Sequence, residues 1–293
     1  MISNETQKIA NNLSNFMPVS KRGLARISKV YRNLTSSIRL MPDFIIIGAQ
    51  KCGTTSLFEY LIEHPSISAS ARKEIAFFSR HFSKGINCYR SYFPTLFHRA
   101  GRQKHITGEA STGYICHPHA PRRIAETIPQ VKLLALLRNP VDRAYSHYHH
   151  TVRRGRENLS FEEAIAKENE RLHGLAERML ENENYYNKNF HYYSYLSRGI
   201  YVEQLKNWLE AFRRNQILIL SSESLDTQPS ATIEKVLDFL DVPRWQPQKY
   251  ERYNSNSYTK GINPTTRKYL VDYFKPHNEK LYKLLGVNFD WDK

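Results

Sequence analysis

Apolar positions first close up into an unbroken run at residues 44–47, and similar runs return at 106–108, 131–137 and 217–220. Runs this short and continuous, without alternation, predict strands buried on both faces, as in a parallel sheet. Between them the period changes to that of a helix over 54–63, which His64-Pro65 ends, and again over 121–127, 141–149 and 229–240. Strands alternating with helices predict an α/β fold, an open parallel β-sheet flanked by helices, with ligands bound outside the carboxyl ends of the strands. Near the end of the chain, Tyr269, Tyr273, Phe274, Leu281 and Leu285 recur at helical spacing and are expected to face the core.

Two stretches break this rhythm. Residues 1–42 carry seven Lys/Arg against one acidic residue and read as a basic N-terminal arm before a domain over 43–293. Within the arm, Ile27, Val30, Tyr31, Leu34 and Ile38 fall at helical spacing. The simpler expectation is a helix whose apolar side packs on the domain's own surface; the alternative is peripheral contact with a membrane surface or a partner helix. Residues 151–198 are polar and aromatic, with Arg153, Arg154, Arg156 and five tyrosines at 185, 186, 192, 193 and 195, and show no periodic core pattern. An acceptor lid and a solvent-facing helical excursion are both open readings there.

Composition narrows the classes. A chain of 293 residues with 40% apolar content can bury one substantial core. There is neither a 20-residue apolar span nor a charged-then-apolar leader, so a cytoplasmic protein without a transmembrane segment is expected. Cys52, Cys88 and Cys116 are odd in number and lack metal-ligand spacing, so neither a disulfide framework nor a metal site is expected. The 43 basic and 28 acidic residues leave a net +15, which favours anionic partners. No helix-turn-helix, zinc-finger or RNP pattern accompanies it, so nucleic acid is not expected among them.

The chemistry begins where the first strand ends. Gly48, four residues and Gly53, then the hydroxyl-rich helix start Thr54-Thr55-Ser56, form a phosphate cradle of backbone N–H groups at a helix N-terminus. A nucleotide-triphosphatase loop places Lys and Ser/Thr directly after the second glycine to serve phosphates and magnesium. Here Thr54 and Thr55 stand there and the lysine lies inside the loop as Lys51, which suits a metal-free phosphate donor better than Mg-ATP. Arg138 follows the run 131–137 directly, at a strand end where a triphosphatase often holds its magnesium-binding Asp; an arginine there forks onto a phosphate instead. For Arg143 an anion contact and a structural ion pair are both open.

Together with KEIAFF at 73–78, GEAS at 108–111, LLALLRNPVDRAYSHY at 133–148, RGIYVEQLKNWLEAF at 198–212 and TRKYLVDYFKPHNEKLYKLLG at 266–286, the loop resembles that of sulfotransferases using 3'-phosphoadenosine 5'-phosphosulfate (PAPS). The likeness is to the heparan-sulfate type branch and its bacterial relatives, and it spans residues 43–291. It implies a P-loop-like sulfotransferase fold, PAPS as donor, 3',5'-ADP as product and no metal. By position, it implies that Lys51, Cys52, Gly53, Thr54, Thr55 and Ser56 bind the cofactor, the amides of Gly53, Thr54, Thr55 and Ser56 with the Thr and Ser hydroxyls meeting the 5'-phosphate. Lys51 would also donate to the bridging oxygen. Arg138 and Ser146 would take the 3'-phosphate with Tyr201 nearby, and Lys260 and Gly261 would cover the cofactor.

The same resemblance makes Glu74 the general base, and burial beside Phe77 and Phe78 is expected to raise its pKa towards the working range. Glu109 and a histidine, His105 first, are the alternative bases. Ala76, Ser79 and Ala110 depart from the residues common in the animal branch, so polysaccharide contacts do not carry over with the base. That branch commonly has a membrane anchor and a disulfide; lacking both patterns, this chain is expected to be a bacterial or other cytosolic version. The expected reaction moves a sulfuryl group to a hydroxyl, or to an amine, of a carbohydrate or small-molecule acceptor. The rivals are a nucleotide kinase-like phosphotransferase and a non-catalytic binder of sulfated glycan or nucleotide.

Overall fold

The computed structural model describes residues 21–99, 105–253 and 261–292. Helix α1 (Lys21–Leu34) precedes strand β1 (Phe44–Gly48), and the glycine loop then enters α2 (Thr54–Ile62). A short strand β2 (Ile67–Ala69), a π-helical turn at Phe77–His81 and helix α3 (Ile86–Arg90) lead to β3 (Ile106–Ala110). Helix α4 (Ala120–Thr127), strand β4 (Lys132–Leu137) and helix α5 (Pro140–Arg153) follow. Four short helices come next: α6 (Phe161–Ala166), α7 (Glu168–Leu172), α8 (Leu175–Glu181) and α9 (Lys188–Tyr193). The chain continues through α10 (Tyr201–Ala211), β5 (Ile217–Ser221), α11 (Ser222–Thr227), α12 (Pro229–Leu240) and α13 (Pro264–Leu285).

The five strands form one parallel sheet in the order β2-β3-β1-β4-β5. All five residues of β1 are buried, as the unbroken apolar run requires of a central strand covered on both faces. The three-residue edge strand β2 has no counterpart in the sequence reading, because its residues Ile67, Ser68 and Ala69 are too few for any periodicity to register. From β1 the chain moves to the β2 side of the sheet, and from β4 to the β5 side. The loops leaving these neighbouring strands therefore diverge, and a crevice opens above their carboxyl ends.

Local signals fix two of the helix starts. Asn139 caps α5 by accepting from the Val141 amide at 3.0 Å, and Pro140 occupies the first turn, where its missing N–H costs nothing. Ser160 and Glu163 form a capping box on α6.

Three expectations need correction. The segment 151–198 is helical, but it is not wholly solvent-facing: Phe161, Ala164, Ile165, Tyr195 and Leu196 join Val141 and Ala144 of α5 and Leu270 and Phe274 of α13 in a second core. The apolar side of α1 does not pack on the domain, since Val30 is 57% and Leu34 80% exposed. On α13, Phe274 and Leu281 are buried as their spacing implies, but Tyr269 is 58% exposed. A helical face wider than the surface it meets leaves its flanking positions in solvent.

Candidate active site

Above the carboxyl ends of β1 and β4 lies a cleft of about 560 Å³, a volume in the usual range for ligand sites. Lys51, Gly53, Thr54, Thr55 and Ser56 form its floor, Glu74 and Thr112 one wall, and Arg138, Ser146, His150, Arg153 and Arg154 the other. Eight Lys and Arg side chains line it against two carboxylates, Glu74 and Asp226, and Asp226 is already paired with Arg252. Such a balance suits a polyanionic ligand.

Backbone geometry shapes the floor. Gly53 stands at φ 87 as the N-cap of α2, and no side chain caps that end. Without a competing cap, the partial positive charge of the helix start is directed into the cleft. Lys51 has φ 71, a left-handed conformation that only glycine adopts cheaply, and the wall residues Glu74 and Ala76 have φ 55 and 53. Three of the five non-glycine residues with positive φ among the described residues thus border this cleft. Each such conformation costs about 1–3 kcal/mol and persists because surrounding contacts impose it.

Those contacts are visible around Glu74. Its amide donates to the Ala110 carbonyl at 2.8 Å, and the Ala76 amide donates to Ser111 Oγ at 3.0 Å. The Glu74 carboxylate accepts from Thr112 Oγ1 at 2.9 Å and from the Thr112 amide at 3.2 Å. The exit of β3 therefore latches the segment carrying Glu74. Contrary to expectation, Phe77 and Phe78 do not bury this carboxylate: both rings turn into the core while Glu74 stays exposed on the cleft wall. A left-handed backbone at Glu74 and Ala76 sends the chain in a direction that no spacing rule for helix or strand foresees.

The alternative bases lie elsewhere. Glu109 on β3 is fully buried beneath the latch, accepting from Tyr89 Oη at 2.8 Å, Ser111 Oγ at 2.6 Å and Tyr114 Oη at 3.0 Å. Burial pushes its pKa up to about 7, and the hydroxyls only partly offset that. It orients Ser111, which in turn holds Ala76, so it acts on the wall from behind. His105 is buried at the amino end of β3, its Nε2 2.7 Å from Ser68 Oγ, at the opposite end of the sheet from the cleft. The histidines that do line the cleft are His150 and His191, which sequence reasoning missed. Burial, followed by the nearby Lys51 and arginines, lowers the His150 pKa to about 4, leaving a neutral imidazole.

Burial also lowers the Lys51 pKa to about 8, with Arg153 and Arg138 adding repulsion. Lys73 is likewise lowered to about 8 by burial, against the opposing pull of Glu74 and Glu59, and its Nζ donates to Thr55 Oγ1. Lys73 is a further cleft residue to which the sequence reading gave no role. Two partly desolvated ammonium groups beside arginines form a site whose charge an anion would relieve.

Of the remaining sequence-derived residues, Arg138 and Ser146 line the cleft. Cys52 and Tyr201 do not: both are buried behind it, Sγ and Oη 3.7 Å apart. Tyr201 donates to the Arg138 carbonyl at 2.9 Å, and Arg138 Nη1 donates to the Lys51 carbonyl at 3.3 Å, so the tyrosine braces the segments that carry the two cations. Arg143 is fully buried, lies outside the cleft lining and donates to the Tyr195 carbonyl, and it makes no ion pair among the described residues. Gly261 is exposed and away from the cleft lining, and Lys260 lies outside the described residues.

Residues 41–293 match the sulfotransferase domain family. A membrane-associated sulfotransferase of Dictyostelium discoideum is 28% identical, over 86% of this chain and 66% of its own length. A bifunctional heparan sulfate N-deacetylase/N-sulfotransferase of Mus musculus is 32% identical, over 83% of this chain and 29% of its own length. The chain thus spans just under two thirds of the first of these relatives and under a third of the second. The crystal structure of a sulfotransferase from Alicyclobacillus acidocaldarius superposes with a TM-score of 0.68 at 31% identity, covering 87% of this chain and all of that one. The protein belongs to the sulfotransferase domain family and has its P-loop-like fold.

The expected cytoplasmic location is overturned by the same findings, because a relative matched along most of the chain is membrane-associated. A long apolar span marks only a segment that crosses a bilayer, and association at the membrane surface requires none. Among the described residues no helix is long and apolar enough to cross a membrane.

Proposed function

We propose, from the premise that the chain is a sulfotransferase, that it moves a sulfuryl group from PAPS to a hydroxyl of a carbohydrate acceptor. The observation that carries this reading is the convergence of Lys51, Glu74, Arg138 and Ser146 with the uncapped start of α2 on one cationic cleft. The residues fit the donor: the first turn of α2 with Thr54, Thr55 and Ser56 suits a 5'-phosphate, and Arg138 with Ser146 suits a 3'-phosphate across the cleft. When bound, the donor supplies an activated sulfuryl group.

The chain's own groups then have three tasks. Glu74, held by Thr112, takes the acceptor proton as the acceptor oxygen bonds to sulfur. Lys51 donates to the bridging oxygen as the bond from sulfur to that oxygen breaks, leaving the 5'-phosphate of 3',5'-ADP. Arg138 and Ser146 hold the 3'-phosphate so that the line of displacement is fixed. A carbohydrate acceptor is favoured over other small molecules because heparan sulfate enzymes recur among the relatives and because cations crowd the outer wall. The segment 151–198 acts as the acceptor wall, delivering His191 to the cleft beside the end of α5.

Thermal shift with 3',5'-ADP, Mg-ATP and 5'-AMP at equal concentration tests the donor site. A ligand at 100 times its dissociation constant stabilises by about 2.7 kcal/mol. Selective stabilisation by 3',5'-ADP is expected, whereas a response to Mg-ATP alone would refute the reading. Turnover of labelled PAPS with oligosaccharide acceptors follows.

A further inference from the structure

The amino end of the sheet carries a second surface that the proposed reaction does not use. On α1, Ile27, Val30, Tyr31 and Leu34 share one face by their spacing of three and four residues, and all are exposed. Leu34, at 80% exposure, has almost no protein against it. The face continues beyond the helix. An antiparallel bridge joins Arg39 to Thr95, which places Ile38 opposite Leu96 in register, and these are 40% and 51% exposed. Phe97, the next residue, is 72% exposed. Seven of the fifteen large apolar side chains exposed among the described residues thus come from these two short segments.

The surroundings are basic. Between Glu5 and Asp43 the sequence has no acidic residue, and Arg26, Lys29 and Arg32 fall on the flanks and back of the α1 apolar row. The anchoring of the patch to the domain is firm: Arg39 donates to the Phe93 carbonyl at 2.6 Å, and Arg90 donates to the Ser37 and Arg39 carbonyls at 2.9 Å.

We propose that α1 and the Leu96-Phe97 tip form a docking surface for a lipid bilayer bearing anionic phospholipid. An apolar row of single side chains with Arg26 on its flank, on a helix that carries no acidic residue, matches a helix lying in the headgroup plane, with the apolar row towards the acyl chains and the long cations reaching towards the phosphates. Charge decides against a second copy of this face: it would set two exclusively basic helices side by side. An acidic partner protein would satisfy the charge but not demand the projecting Leu34 and Phe97. Because the surface lies at the amino ends of the strands and the cleft at their carboxyl ends, docking leaves the cleft open to the aqueous side.

Vesicle co-sedimentation of the full chain tests this, using phosphatidylcholine vesicles with and without phosphatidylglycerol. Sedimentation about tenfold greater with the anionic vesicles is expected, weakening as salt is raised. Leu34→Glu with Phe97→Glu should abolish it, and Arg26→Gln with Lys29→Gln should reduce it, with the melting temperature unchanged in both because these side chains are exposed. Equal sedimentation without anionic lipid, or unaltered sedimentation of Leu34→Glu with Phe97→Glu, would overturn the proposal. So would a lipid-independent dimer in sedimentation velocity that Leu34→Glu dissociates, which would assign the face to self-association.

Discussion

The two walls of the cleft differ in how they are built. The wall carrying Glu74 consists of left-handed backbone latched by short hydrogen bonds to the exit of β3, over a fully buried carboxylate, Glu109. The facing wall is the last turn of α5 and its continuation, with Arg153 and Arg154 exposed on ordinary helix-end geometry and steadied by the second core behind. The latch restricts where the Glu74 carboxylate sits, and a proton transfer depends on such positioning; exposed cations on long side chains adapt, which suits an extended anionic acceptor. Under the proposed reaction, the first wall would govern rate and the Arg153-Arg154 end of the second would govern acceptor affinity.

The largest effect should come from Glu74→Gln. Loss of a general base typically costs about 10²–10⁴ in rate, so kcat should collapse while 3',5'-ADP binds as before in calorimetry. Retained turnover would break the comparison and move the base to the facing wall, to His150 or His191. Lys51→Ala should lower kcat/KM by about 10²–10³, the range seen on removing a donor to a developing negative charge.

The pH dependence sharpens the same picture. In the free protein Lys51 and Lys73 lose their protons near pH 8, because burial has lowered both pKa values to about 8. A bound polyanion favours the ammonium forms and raises those values. Affinity for 3',5'-ADP should therefore be full below pH 8, fall by up to about tenfold per pH unit for each lysine above it, and be accompanied by proton uptake. Calorimetry at pH 8.5 in buffers of different ionisation enthalpy, a pH set roughly half a unit above those values, measures that uptake directly. No uptake would mean that neither lysine meets the anion.

On the second wall, Arg153→Ala with Arg154→Ala should raise the acceptor KM by about fivefold, as exposed charge pairs contribute up to about 1 kcal/mol each, and leave kcat nearly intact. A fall in kcat with unchanged KM would erase the distinction between the walls. The smallest effect belongs to Ala76→Gly. Glycine relieves the left-handed strain at φ 53 but loosens the latch, so the gain in stability should be under about 1 kcal/mol in thermal melts, with kcat modestly reduced.

The sequence by itself determined the frame. Continuous apolar runs gave four of the five strands to within two residues at either end, because burial on both faces leaves an unmistakable local pattern. The glycine loop and Arg138 were legible for a related reason: both sit at strand ends, and the strand positions place them. Only the tertiary structure decided the rest. That Glu74 is exposed and latched, that Glu109 lies beneath it, and that Lys73 turns to Thr55 depend on contacts across tens of residues. The core of segment 151–198 escaped notice because its apolar residues are shared among short helices and two distant partners, α5 and α13, so no single window contains the pattern. Periodicity marked the α1 row but could not say whether anything covers it; a face is apolar by sequence, and buried only by what folds against it.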